Sequence, residues 1–258
     1  MAVGFVFPGQ GSQALGMLRD LASAEPVVRE TFAEASAVLG YDLWQLCQEG
    51  PQEALDSTER TQPALLTASV ATWRVWRKHG GALPQSVAGH SLGEYSALVC
   101  ADALDFRAAV DLVRFRGQQM QAAVPPGQGA MAALLGLEDA EVEAACREAT
   151  TATEIVQAAN FNSPGQIVIA GHATAVTRAL EIAKAKGAKR AIPLPVSVPS
   201  HSPLMRPAAE RLAARMREVT FSPGNIPSIY TGGAPTHGDP EKMRAALVEQ
   251  LVSPVRWT

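Results

Sequence analysis

The stretch Ser86-Val87-Ala88-Gly89-His90-Ser91-Leu92-Gly93-Glu94 reads as a short strand, a glycine-flanked turn and the opening of a helix that runs on to Cys100. Gly89-x-Ser91-x-Gly93 in that setting is the pattern of a nucleophile elbow. Glycines lack Cβ atoms, so strand and helix can close around a sharp turn, and the serine between them is held strained at the helix N-terminus. Backbone N–H groups without intrahelical partners, together with the helix dipole, favour negative charge developing there. The N–H of Leu92, one residue after the serine, is then a natural oxyanion donor. The competing reading is an ordinary glycine-rich turn with Ser91 as a helix N-cap.

Outward from the elbow, the chain alternates strands and helices. Val3-Gly4-Phe5-Val6-Phe7 is a short apolar run of the buried, parallel-strand type, closed by Pro8-Gly9. Helices are expected over 24–39, with Pro26 near the start, and over 63–79, ending at Gly80-Gly81. A further helix is expected from about Arg107 to Ala123, and Pro125-Pro126-Gly127 marks a boundary. Beyond it come a strand (130–137), a helix (138–150), two strands (155–161 and 166–170) around the turn Asn162-Ser163-Pro164-Gly165, a helix (172–186) and a strand (189–194). The order β-α-β-β-α-β is that of a ferredoxin-like unit. The expected organisation is a large α/β domain over 1–127, an inserted unit over 128–195, and the large domain resumed over 196–258. That last part holds a helix from about Pro203 to Val219, a strand at 228–231 and a helix at 240–251.

Composition excludes several classes of function. Of 258 residues, 47% are hydrophobic and 18% charged, which fits a globular chain, and a net charge of −3 gives no basic excess for nucleic acid or an anionic membrane. The cysteines Cys47, Cys100 and Cys146 are far apart and form no Cys/His cluster, so neither a disulfide framework nor a metal site is expected and a cytoplasmic location is. Met1 to Gly11 lacks the basic start and cleavage site of a signal peptide, and no run of about 18 apolar residues predicts a membrane span.

A serine nucleophile needs a base, and histidine is the usual one. His79 ends a helix, His90 lies in the elbow with its side chain expected to point away, His172 starts a helix of the inserted unit, and His237 sits in a Gly/Pro-rich loop. His201 ends an apolar, proline-flanked segment before a helix of the large domain, where α/β proteins place site residues. Helix capping stays open as its alternative role. Asp102, Asp105 and Asp111 lie near the elbow in sequence, but solvation on a helix surface explains them at least as well, and a backbone carbonyl can orient a histidine instead. The reading adopted is a Ser91–His201 dyad. Gly9-Gln10-Gly11-Ser12-Gln13 lacks the third glycine and the GK[ST] of nucleotide loops, since Ala14 follows, so its Gln10 N–H is a candidate second oxyanion donor, with a plain tight turn as the alternative. Arg116 lies in Val113-Arg114-Phe115-Arg116-Gly117, and most arginines on such a helix are solvated. A buried Arg116 facing Ser91 would instead bind a carboxylate through two parallel hydrogen bonds and select acyl groups that end in one.

Several segments together carry a resemblance: Phe7-Pro8-Gly9-Gln10-Gly11-Ser12-Gln13, Gly89-His90-Ser91-Leu92-Gly93-Glu94-Tyr95-Ser96, and Arg116-Gly117 with Met120-Gln121. Asn160-Phe161-Asn162-Ser163-Pro164-Gly165-Gln166, Val198-Pro199-Ser200-His201-Ser202-Pro203-Leu204-Met205, and Gln250-Leu251 with Pro254-Val255 complete it. In order and spacing the chain resembles, over essentially its whole length, malonyl-CoA:acyl carrier protein transacylases and the related acyltransferases of polyketide synthesis. The resemblance implies an α/β-hydrolase-like domain with an inserted ferredoxin-like subdomain. It implies Ser91 as nucleophile, His201 as base, Arg116 as the ligand of the malonyl carboxylate, and the N–H groups of Gln10 and Leu92 as the oxyanion hole. Gln250 would orient His201 through its backbone carbonyl. The implied reaction is malonyl transfer from malonyl-CoA to the phosphopantetheine thiol of acyl carrier protein in fatty acid biosynthesis, with no bound cofactor or metal. The alternatives are a trans-acting malonyl acyltransferase of a polyketide synthase, an acyl-thioester hydrolase using the same dyad, and a non-catalytic scaffold that binds carrier protein. A monomer is expected. Chains of that family usually continue past Pro254-Val255-Arg256-Trp257-Thr258, so the large domain is expected to be C-terminally truncated here.

Overall fold

Residues 3–196, 198–231, 234–236 and 238–258 are described by a computed structural model, and His237 lies outside them. The first half contains β1 (Gly4–Phe7), α1 (Arg19–Ala24), α2 (Pro26–Leu39), α3 (Leu43–Glu49), α4 (Gln52–Leu55), α5 (Thr58–Lys78), β2 (Ser86–Gly89), α6 (Gly93–Cys100) and α7 (Phe106–Ala123). Then follow β3 (Gly129–Leu135), α8 (Asp139–Ala149), β4 (Val156–Ser163), β5 (Gln166–His172), α9 (Ala173–Ala185), β6 (Arg190–Pro193), α10 (Arg206–Met216), β7 (Ser228–Thr231), β8 (Ala234–Pro235), α11 (Pro240–Glu249) and β9 (Val255–Arg256). Among the described residues this is a mixed α/β architecture with two sheets. It divides into two compact units, Met1–Gln118 with Leu212–Leu247, and Gln119–Arg211 with Val248–Thr258.

The sheet of the first unit has the order β1-β2-β7-β8, with β1, β2 and β7 parallel. Phe7 pairs with Gly89, so the chain leaves β1 and β2 at the same end of the sheet. The expectation of a buried first strand is only half met. β1 is parallel, but it is the edge of the sheet, and the row Val6–Ala88–Tyr230 leaves Val6 68% and Tyr230 39% exposed. Around this sheet, α2 buries Val28, Thr31, Phe32, Ala35 and Leu39, one stripe at helical spacing.

Prolines account for the helix limits that differ from expectation. Pro26 starts α2 at its first turn, which separates it from α1 instead of continuing it. Pro63 lies inside α5, which begins at Thr58, because Thr58, Thr61 and Gln62 are buried and that packing outweighs the local penalty of proline. The helix expected from Pro203 is a 3-10 turn, Pro203–Met205, followed by α10 with Pro207 in its first turn.

The second unit has the sheet order β6-β3-β5-β4-β9, antiparallel except for β4 with β9. On one face, Ile167 and Ile169 of β5 join Val142 and Cys146 of α8 and Val176 and Leu180 of α9 in one core. The alternate residues Val168 and Ala170 face the other way, where Leu194 and Val196 cover them. In β4 the register passes from Ala158↔Ile169 to Asn160↔Val168, so Ala159 is an extra residue that lets both Ala158 and Phe161 reach the helix-covered core. The unit extends past 195 because β9 pairs with β4 through Asn160↔Val255 and Phe161↔Arg256. No helix among the described residues is long and apolar enough to cross a membrane.

Candidate active site

Ser91 sits where β2 turns into α6, with φ 53°, a left-handed backbone rarely taken by a residue other than glycine. The turn is closed by Gly93 N–H donating to the His90 carbonyl at 2.9 Å and Glu94 N–H donating to the Ser91 carbonyl at 3.1 Å. A Cβ on Gly89 would lie 1.8 Å from the Gly93 carbonyl carbon, and one on Gly93 would lie 2.2 Å from the Phe7 carbonyl oxygen. Both positions therefore require glycine for strand and helix to close. Leu92 is buried at the N-cap position of α6, where a helix leaves backbone N–H groups for an external acceptor.

The loop carrying Gln10 lies against this elbow. His90 N–H donates to the Phe7 carbonyl at 3.0 Å, and a Cβ on Gly9 would meet the His90 carbonyl oxygen at 2.7 Å. Gln10 Nε2 donates to Thr58 Oγ1 at 3.3 Å, which ties the loop to the first turn of α5.

Arg116 is buried, with 1% of its surface exposed, and its Nη2 donates to Ser91 Oγ at 3.3 Å. Arg116 is therefore not one of the solvated arginines of a helix surface. Burial pulls its pKa below the ordinary arginine value, and the neighbouring Tyr95 and Glu94 oppose that shift. The guanidinium lies over the Tyr95 ring, 5.6 Å from its centroid.

His201 and Gln250 belong to the second unit. His201 is 3% exposed and takes φ 59°. Its Nδ1 lies 2.7 Å from the Gln250 carbonyl oxygen. A carbonyl can only accept, so Nδ1 carries the hydrogen and Nε2 holds the basic lone pair. Gln157 on β4 donates through Nε2 to the His201 carbonyl at 2.8 Å and to the Val252 carbonyl at 3.5 Å.

The other candidates have structural partners. His79 Nε2 is 2.5 Å from Glu25 Oε1, and Ile155 N–H donates to His172 Nδ1 at 3.0 Å. Asp111 pairs with Arg114 at 2.5 Å and Arg215 at 2.8 Å. Asp105 accepts from Ala108 N–H at 2.9 Å, and Asp102 accepts from Asn225 Nδ2. Burial pushes the Cys47 and Cys146 thiols up to about 12 and the Cys100 thiol higher still, so none supplies a thiolate nucleophile. Among the described residues, no group of three or more His, Cys, Asp or Glu could hold a metal ion. Tyr95 beside Arg116 was given no role of its own by the sequence, and neither was Gln157 beside His201; their only signals are an aromatic in the first turn of α6 and a polar residue within an apolar strand.

The acyl transferase domain family matches residues 4–258. The malonyl CoA-acyl carrier protein transacylase of Escherichia coli O157:H7 is 59% identical over 254 residues, 98% of this chain and 82% of that protein. The chain belongs to the malonyl CoA-acyl carrier protein transacylase family. Among solved structures of similar proteins, the malonyl CoA-acyl carrier protein transacylase of Coxiella burnetii superposes with TM-score 0.97 at 55% identity, covering 99% of this chain and 81% of that one. A malonyl-transacylase solved with a type II polyketide synthase acyl carrier protein also matches with TM-score 0.97 at 56% identity, over 100% of this chain and 83% of its own.

Proposed function

We propose that this chain transfers a malonyl group from malonyl-CoA to the phosphopantetheine thiol of acyl carrier protein, in fatty acid synthesis, through a malonyl ester on Ser91. The observation that carries the choice of acyl group is the buried Arg116 fork beside Ser91 Oγ. Ser91 Oγ attacks the thioester carbonyl while His201 Nε2 takes its proton. The resulting oxyanion is held by the N–H groups of Gln10 and Leu92. Collapse of the intermediate breaks the C–S bond, and His201 returns the proton to CoA, which leaves as a thiol. In the second half, His201 deprotonates the carrier thiol, which attacks the ester, and Ser91 is reprotonated. Gln250 supports this reading, because its carbonyl keeps the His201 hydrogen on Nδ1. Ser91 itself carries the acyl group, so the cycle uses no bound cofactor.

The proposed fold is α/β-hydrolase-like with an inserted ferredoxin-like subdomain. The parallel β1-β2-β7 sheet with its elbow supports the first part, and the β6-β3-β5-β4 order of a βαββαβ unit the second. The proposed location is the cytoplasm, in keeping with three buried free thiols.

Intact-protein mass spectrometry after mixing with malonyl-CoA tests the function. One malonyl adduct is expected on the wild type and none on Ser91→Ala, and holo acyl carrier protein should discharge it. No adduct on the wild type would remove the covalent mechanism. Adduct loss at the same rate with and without carrier protein would make the chain a hydrolase. The transacylase matched in complex with a type II polyketide carrier protein supports polyketide synthesis as a second reading. Discharge rates with the two kinds of carrier protein decide between the pathways.

A further inference from the structure

An arginine beside a nucleophile selects substrates only if its fork is held in place, since a long side chain otherwise swings with its water shell. We infer that Tyr95 is a positioning residue that fixes the Arg116 guanidinium for the acyl carboxylate and thereby sets the preference for carboxylate-bearing acyl groups. The inference rests on the reading that Arg116 binds that carboxylate. Tyr95 lies in the first turn of α6, four residues after Ser91, which occupies the turn that leads into that helix. The Arg116 guanidinium carbon is 5.6 Å from the Tyr95 ring centroid, while its Nη2 is 3.3 Å from Ser91 Oγ. Within about 6 Å, the negative face of an aromatic ring attracts a guanidinium, and more strongly where water is excluded. Water is excluded here: Tyr95 is 0% and Arg116 1% exposed.

The backbone that carries Arg116 is held on another side. A Cβ on Gly117 would lie 2.6 Å from the Glu59 Cα and 2.8 Å from the Thr58 carbonyl oxygen. These are backbone atoms that cannot rotate away, so α7 lies flush on α5 at the residue after Arg116. That contact fixes the root of the arginine, and the Tyr95 ring fixes its head. Burial keeps the Tyr95 phenol protonated, since it raises the phenol pKa and the Arg116 charge only partly offsets it. Tyr95 therefore steers the cation as a neutral ring, without adding an anion that would compete with the acyl carboxylate. Glu94, also buried, contributes negative charge near Arg116.

The test is the ratio of kcat/KM for Ser91 acylation by malonyl-CoA to that by acetyl-CoA, which has no carboxylate to engage the fork. Tyr95→Met, which fills the space without a ring, is expected to lower the ratio about tenfold, and Tyr95→Phe, which restores the ring, to return it to within about twofold of wild type. In an Arg116→Ala background, Tyr95→Met is expected to change the ratio no further. A Tyr95→Met enzyme that loses both reactions equally would reduce Tyr95 to a structural role and overturn the inference. So would a ratio that falls just as far without Arg116. If Tyr95→Met does not fold, Tyr95→Phe decides alone: a lost ratio overturns the ring argument and a retained one supports it. If Arg116→Ala itself keeps the wild-type ratio, the underlying reading of Arg116 fails, an outcome distinct from failure at Tyr95.

Discussion

Arg116 Nη2 donates to Ser91 Oγ across 3.3 Å, although the two residues are 25 apart in sequence, Ser91 in the turn before α6 and Arg116 on α7. A buried guanidinium beside a serine hydroxyl suits the proposed binding of an acyl carboxylate, because a planar fork can engage both carboxylate oxygens.

Arg116→Ala should cost malonyl transfer about 1.5–3 kcal/mol, the range for hydrogen bonds to a charged group and equivalent to roughly 10- to 150-fold in kcat/KM. Acetyl transfer should suffer less. Arg116→Lys should recover only part of the loss, because an ammonium is a point charge without the planar fork. Competition between the two acyl-CoA substrates reads the outcome, and an equal loss of both would count against a carboxylate-binding role.

The strained backbone of Ser91 can be weighed by comparing two variants that both lack Oγ. Ser91→Gly should be more stable than Ser91→Ala, by about 1 kcal/mol, because glycine adopts φ 53° without a Cβ clash. For a chain of this size that corresponds to a Tm difference of roughly 2–4 °C. Both variants should fail to form the acyl-enzyme. Equal melting temperatures would mean the elbow stores no strain at Ser91.

Gln157 ties the His201 backbone to the segment that bears Gln250 through its two bonds, to His201 and Val252. Gln157→Leu leaves partly buried carbonyls without that donor and should destabilise the protein by about 1–3 kcal/mol. Its kcat should fall while KM for malonyl-CoA holds, since the donor acts on His201, the proposed base. Thermal melts and steady-state kinetics on one preparation measure both effects, and an unchanged kcat would restrict Gln157 to stability.

Asp111 should make stability depend on acid. Burial alone would raise its pKa, but the bond to Arg215 and the charges of Arg114 and Arg215 outweigh burial and hold it below the ordinary 3.8. A carboxyl lowered in the folded state stabilises fully above its unfolded pKa, and the contribution is lost as pH falls through the folded value. Asp111→Asn should therefore be less stable at pH 7 by on the order of 1 kcal/mol, a modest figure because solvent screens a partly exposed trio. The gap to wild type should close in strong acid. A gap of constant size from pH 7 downward would show that the charge is not its source.

The elbow was legible because its constraints are local: Gly89 and Gly93 are demanded by contacts within one strand, turn and helix, and with the adjoining strand end. The strand and helix order of the second unit was legible for a similar reason, since the alternation of Ile167, Val168, Ile169 and Ala170 is written in consecutive residues. The start of α5 was not, because Pro63 speaks locally against a helix interior, whereas burial of Thr58 and Gln62 is settled by distant neighbours. The openness of β1 was hidden too, because an apolar strand reads the same at the edge of a sheet as at its centre.

By itself, the sequence determined the strand–turn–helix that holds Ser91, the periodicity of the elements around it and the family to which the chain belongs. Only the tertiary structure decided that Arg116 is buried against Ser91 and over Tyr95, since helical spacing does not say which face of α7 meets another element. It also places His201 Nδ1 at the Gln250 carbonyl, 49 residues away, a contact that the family resemblance implied and that the residues themselves do not mark. Every residue carries a carbonyl, so nothing in a string of side chains marks the one that folding brings to a histidine.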